Sequence, residues 1–158
     1  MSARTGGTTM SEQNIELARR LFEEVFNGRN IAICEEIVAT HYIENALAPF
    51  GDNPPGAVSG PEHMRNVVEW LVEQFPDIVM TIESIVADDD TVSVRVHSEG
   101  TNLGLFNGVM PPTGKRFSGR QGHWFRIHEG KLAEHWAVRD DLRTMLQLGV
   151  MQPPAPPA

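Results

Sequence analysis

Residues 117–140 read FSGRQGHWFRIHEGKLAEHWAVRD, two runs in which apolar and polar side chains alternate, joined by Glu129-Gly130. That pattern predicts a β-hairpin, because successive side chains of a strand point to opposite faces and Gly suits the turn. The inward set of a half-buried strand should be hydrocarbon, yet the face that holds Phe117 and Phe125 also holds Gln121 and His123. By the same parity the return strand gathers Glu134, Trp136, Val138 and Asp140 on one face, with His135 and Arg139 turned outward. Polar groups placed this way either meet water or line an enclosed pocket.

Upstream of the hairpin the period is also two. DIVMTIESIVA and TVSVRVHSEGTNLG read as strands, KRFSGRQGHWFRIH and KLAEHWAVRD complete a set of four, and Asp88-Asp89-Asp90 marks another turn. The first half of the chain is helical instead. Ser11 can cap a helix through about Asn27, with Ile15, Ala18, Leu21, Phe22, Val25 and Phe26 on one stripe and Gly28 as its stop. Asn30 opens a short second helix to about Val38. Pro61 starts a third that carries Met64, Val67, Val68, Leu71, Val72 and Phe75. Between the second and third, HYIENALAPFGDNPPGAVSG is rich enough in Pro and Gly to read as irregular. Helices followed by an antiparallel meander spell α+β. A sheet this long must curl around the helices to cover its apolar face, and the hollow left inside is where a pocket is expected.

The chain's 158 residues suit one domain, read as 11–150, with 1–10 as a small, polar, disordered leader and 151–158 as a Pro-rich tail. A net charge of −8 with no basic stripe argues against nucleic acid. The single cysteine, Cys34, excludes an intrachain disulfide and a thiolate metal cage, and its neighbours Ile33 and Ile37 predict a buried, inert thiol. No apolar run approaches the ~20 residues of a membrane span, and the polar start lacks a signal peptide's apolar core, so a cytoplasmic protein is expected.

The stretch MPPTGKRFSGRQGHWFRIHEGKLAEHWAVRDDLRTMLQLG resembles the SnoaL-like polyketide cyclases of the nuclear-transport-factor-two-like superfamily. Weaker similarity extends through LARRLFEEVFNGRN, HYIENA and SGPEHMRNVVEWLVEQFPD, covering about residues 12–150. The resemblance implies a cone-shaped α+β barrel with a curved antiparallel sheet wrapped around N-terminal helices, and a homodimer through the sheet's outer face. It also implies an intramolecular aldol condensation of a polyketide-like small molecule without metal or cofactor. By position, the family's acid/base Asp falls on Asp140, and its substrate-binding Gln and His fall on Gln121 and His123. The family's Asn after the second helix falls on Glu44, with Asn45 one step on, and Ala137-Val138-Arg139 stands where aromatic-polyketide cyclases carry Trp-Pro.

From the residues themselves, Asp140 beside Trp136 and Val138 should lose hydration, which raises a carboxyl pKa and makes a better base near neutral pH. Trp136 serves as packing or as a stacking wall. Tyr42, Glu44 and Asn45 can roof the pocket, and Phe125, Phe106 and Met110 can shape the substrate chain. His97 shares a face with Arg95 and lines either pocket or subunit interface. His41, His63 and His128 read as surface residues, and no ligand spacing supports a metal site among His97, His123 and Glu134. The same residues also allow epoxide opening, isomerisation or pericyclic closure, or a non-catalytic module that binds a small ligand.

Overall fold

In the computed structural model, residues 9–48, 54 and 56–155 are described. Most of the expected leader therefore lies outside the described residues, as do the last three residues of the tail. Helix α1 (Met10–Arg20) starts one residue before Ser11. Its cap is Thr9, whose hydroxyl accepts from the Glu12 amide while the Glu12 carboxylate accepts from the Thr9 amide, a reciprocal pair that holds both orphan donors. The helix then widens into a π-helical segment, Leu21–Asn27. With more than four residues per turn, Phe22 and Phe26 stay aligned, their rings 5.9 Å apart. Asn27 ties this end to the sheet, accepting from the Met80 amide and donating to its carbonyl.

A short 3-10 turn (Ile31–Ile33) leads into α2 (Cys34–Ile37), which ends a residue before the expected Val38. Cys34 is fully buried, and desolvation pushes its thiol up to about 11. The next residues correct the expected irregular segment: Val38–Glu44 form strand β1. Helix α3 (Gly60–Gln74) follows, with Pro61 in its first turn. Gly60 has φ +75°, and a Cβ there would sit 2.9 Å from the Thr40 carbonyl oxygen. The close seat of α3 against β1 therefore needs a glycine.

Strands β2 (Val79–Asp88), β3 (Thr91–Thr101), β4 (Arg116–His128) and β5 (Lys131–Arg139) form the expected antiparallel meander. The sheet is mixed rather than wholly antiparallel, in the order β1-β5-β4-β3-β2, because β1 adds parallel to β5. Both β1 and β2 remain edges, so the described strands do not close into a barrel. After the sheet comes α4 (Asp141–Leu148), a helix not anticipated from the sequence, stopped by Gly149 at φ +74°.

The core lies between α1, the π-helical segment, α3 and the inner face of the sheet, where Val92, Val94, Val96, Phe117, Phe125 and Leu132 are buried. One irregularity decides which β5 side chains join them. Arg126 pairs with Glu134, but Ile127 pairs with Leu132, so Ala133 is an extra residue, a β-bulge. Leu132 faces the core as its neighbours predict, and beyond the bulge the parity inverts. His135, Ala137 and Arg139 then point inward, while Glu134, Trp136, Val138 and Asp140 point out. Val138 is accordingly 68% exposed. Among the described residues no helix is long and apolar enough to cross a membrane.

Candidate active site

A cavity of about 180 Å³ opens between α3, the π-helical segment and the inner sheet face. Its walls are mostly apolar, including Phe26, Leu71, Phe75, Met80, Phe106 and Phe117. Gln121, His123, His135, Glu44, Arg139 and Asp141 gather polar groups in the same lining.

Four of these groups, with Tyr42, form one continuous hydrogen-bonded chain. Gln121 Oε1 lies 3.0 Å from His123 Nε2, and His123 Nδ1 lies 2.9 Å from His135 Nε2. His135 Nδ1 then lies 2.8 and 3.0 Å from the two Glu44 oxygens. Glu44 also accepts from the Tyr42 hydroxyl at 2.9 Å and from the Ala46 amide at 2.8 Å. Strand pairing explains each placement. Gln121 and His123 alternate along β4 on the core face, His135 sits opposite Phe125, and parallel pairing sets Glu44 beside His135. Tyr42 and Glu44 share the inner face of β1, with Ile43 between them exposed. Rings fix the imidazoles laterally: His135 stacks on Phe125 at 4.6 Å, and His123 meets the edge of Phe22 at 5.2 Å.

Electrostatics assign the charges along this chain. Burial first, then the charge of the His135 ring whenever that ring is protonated and of the Arg139 guanidinium, holds His123 well below the usual imidazole value, so it is neutral at pH 7. Burial alone would raise Glu44. The His135 hydrogen bond, the charge of that ring when it is protonated, the Ala46 amide and the Tyr42 hydroxyl outweigh it, and Glu44 is held below its ordinary value as a carboxylate. Tyr42 is pushed well above the ordinary phenol range, by burial first and then by the Glu44 charge, so it donates and does not ionise.

Because acceptors and donors must alternate, the chain has two proton states. A carboxylate can only accept, so His135 Nδ1 carries a hydrogen. In the unloaded state His135 Nε2 is a lone pair, His123 Nδ1–H donates to it, and His123 Nε2 is a free base, to which the Gln121 amide presents NH2 only after a half-turn from its Oε1 contact. One added proton at His123 Nε2 shifts the chain. Nε2–H then donates to Gln121 Oε1, His123 Nδ1 accepts from His135, and the positive charge rests on His135 against Glu44. A half-turn of the Gln121 amide converts its partner from donor to acceptor.

The structure corrects several expected placements, and the Ala133 bulge explains most of them. Asp140 is exposed and caps α4, its carboxylate accepting from the Arg143 amide at 3.1 Å. It borders a second pocket, on the outer face, with His97, Ser118 and Arg120, so the apolar walls expected around it are absent. Trp136 is outward under the Arg126 guanidinium, 5.6 Å from the ring centroid. His97 is likewise outward, bonded to Ser118 Oγ at 2.8 Å. Asn45 lies at the exposed edge, donating to Glu134 Oε1 and the His135 carbonyl. The metal set considered above is thus split, with His97 and Glu134 outside and His123 inside. Phe106 lines the cavity, whereas Phe125 lies buried behind the imidazoles and Met110 packs on the core.

Three lining residues run against the sequence reading. His135 and Arg139 were expected outside, and His63, expected on the surface, is buried in α3. Arg139 is held by Asp141 at 3.2 Å and by the Leu47 carbonyl. The alternation of Val38, Thr40, Tyr42 and Glu44 was the available signal for β1. Asp140 before Leu142, Met145 and Leu146, closed by Gly149, was the signal for α4.

The sequence profile of the SnoaL-like polyketide cyclases matches residues 16–148. Aklanonic acid methyl ester cyclase DauD of Streptomyces sp. strain C5 is 35% identical, over 94% of this chain and 92% of that protein. The nogalonic acid methyl ester cyclase of Streptomyces nogalater is 32% identical, over 78% of this chain and 89% of its own length. Among solved structures, IdmH from Streptomyces antibioticus shares a TM-score of 0.71 at 30% identity, covering 87% of this chain and 99% of that one. TsrD from Streptomyces laurentii has the same fold, with a TM-score of 0.77 at 22% identity over 92% and 100%.

Proposed function

The chain belongs to the SnoaL-like polyketide cyclase family, and on that premise we propose that it closes a carbocyclic ring of a polyketide ester by intramolecular aldol addition, with His123 as the acid/base. The carrying observation is the hydrogen-bonded chain from Gln121 through His123 and His135 to Glu44, opening into an apolar cavity. Asp140, outside that cavity, takes no part.

The substrate replaces the Gln121 amide at His123 Nε2, which removes a C–H proton made acidic by flanking carbonyls. Loss of that proton makes an enolate, and the freed Gln121 NH2 donates to its oxygen where charge develops. The new proton displaces the Nδ1 hydrogen of His123 toward His135, and the resulting positive charge faces the Glu44 carboxylate. The enolate carbon attacks the ring-closing carbonyl carbon, a C–C bond forms, and the alkoxide takes the proton back from His123 Nε2. Protons balance, and no redox partner or metal enters. The apolar walls hold the two reacting carbons together, an effect that can supply ~7–11 kcal/mol of the barrier.

Aklanonic and nogalonic acid methyl esters, the substrates named for the relatives, are the test molecules. Incubation with the chelator-treated protein is expected to convert at least one of them to a cyclised isomer of unchanged mass. No isomer from either would sink the aldol reading for this substrate class.

We also take the outer sheet face, where Trp124, Arg95 and Trp136 lie, as a homodimer surface. Light scattering is expected to give twice the chain mass of 17.5 kDa. A monomer mass at micromolar concentration would refute the dimer without touching the chemistry.

A further inference from the structure

His63 is a buried titratable group in the cavity lining that the relay does not use. It lies on α3 and is 2% exposed. Its Nδ1 is 2.9 Å from the Ala57 carbonyl oxygen. A carbonyl only accepts, so Nδ1 carries the hydrogen, and Nε2 of the neutral ring is a lone-pair acceptor. Among the described residues, nothing donates to Nε2. Ser98 on β3 is fully buried in the same lining, and its Oγ also lacks a described partner. Ser98 pairs with Gly119, and Gln121 pairs with Val96, so Ser98 is the diagonal neighbour of Gln121 on the inner face. His63 flanks the other arm of the relay, its ring 6.3 Å from Tyr42. A buried polar atom left unpaired carries the full desolvation penalty of that atom, and a ligand that pairs it removes the penalty.

We propose that His63 Nε2 accepts a hydrogen bond from a substrate hydroxyl while Ser98 Oγ bonds a second oxygen of the same molecule. The site thereby selects a phenolic or enolised polyketide over its O-methylated counterpart. The identity of the ligand as a polyketide rests on the cyclase reading, but the His63 contact uses neither His123 nor Glu44.

The probes are a monohydroxyanthraquinone and its methyl ether, planar diketones that differ by one donor. Fluorescence of Trp70, which lines the cavity, reports binding. The wild-type protein is expected to bind the hydroxy probe about tenfold more tightly than the ether, the worth of one hydrogen bond. His63→Phe should bring that ratio close to one, and His63→Gln, with an amide oxygen near the Nε2 position, should restore part of it. If His63→Phe does not fold, nitrogen NMR of the wild-type protein carries the test. The His63 Nε2 resonance should show an unprotonated nitrogen that moves on addition of the hydroxy probe and not of the ether. Equal binding of the two probes, binding of neither, a ratio that survives in folded His63→Phe, or an Nε2 signal that ignores the hydroxy probe overturns the proposal. His123→Ala separates this from the catalytic reading: the probe preference should persist there while ring closure is lost.

Discussion

Replacing His123 with alanine is expected to lower turnover by about 10²–10⁴-fold, the usual share of a positioned general acid/base. The substitution also opens a hole beside Phe22 and leaves His135 Nε2 without its partner, so loss of activity alone would not identify a base. Two readouts do. Added imidazole should enter the hole and recover part of the turnover, which a purely structural role would not allow. The pH profile of the wild-type protein is the second. A base works deprotonated, and burial holds His123 well below 6.5. Turnover should therefore rise with pH through that low value and be flat across neutrality. An acid limb at 6.5 or above would remove His123 from the role. Asp140→Asn is the companion variant. Asparagine caps a helix about as well as aspartate, so both stability and turnover should stay near wild type. A hundredfold loss there would return the acid/base function to Asp140.

Glu44→Leu should be the most destabilising of the substitutions considered, at about 3–5 kcal/mol, because three donors lose their acceptor at ~1–3 kcal/mol each. The leucine leaves Tyr42 OH, His135 Nδ1 and the Ala46 amide without their acceptor. Glu44→Gln keeps the shape and one acceptor, so it should fold while turnover drops, because no carboxylate faces the charge on His135. The sign with pH follows from the lowered pKa. Glu44 contributes fully above its ordinary 4.5 and loses that contribution as pH falls through the lower folded value. His123 acts in the same direction from a higher starting point: the unfolded chain takes up its proton below 6.5 and the folded chain resists it. Thermal melts should therefore show wild-type stability falling below 6.5 and again below 4.5, with a shallower second fall in Glu44→Gln, where lowered carboxylates such as Asp77 and Glu83 remain. A Glu44→Gln profile that parallels the wild type down to the lowest pH would count against a Glu44 carboxylate stabilised by the fold.

The sequence by itself determined the α+β class, the three N-terminal helical segments and the four meander strands, because hydrophobic period is a local property. It also determined the inward face of β4, since Phe117, Gln121, His123 and Phe125 alternate without interruption. The resemblance carried the family, and with it the expected chemistry. Tertiary structure alone decided which carboxylate stands near His123. Ala133 is a small residue that carries no sign of a bulge, and a bulge depends on how two strands pair rather than on either strand's composition. That single extra residue turned Asp140 and Trp136 out and His135 and Arg139 in. Strand β1 was hidden for a related reason. An edge strand gains its hydrogen bonds from a partner far along the chain, here β5, while the Pro- and Gly-rich stretch after it dominates a local reading. The relay from His123 to Glu44 exists only because both events occur together: the bulge brings His135 inside, and the parallel pairing sets Glu44 beside it.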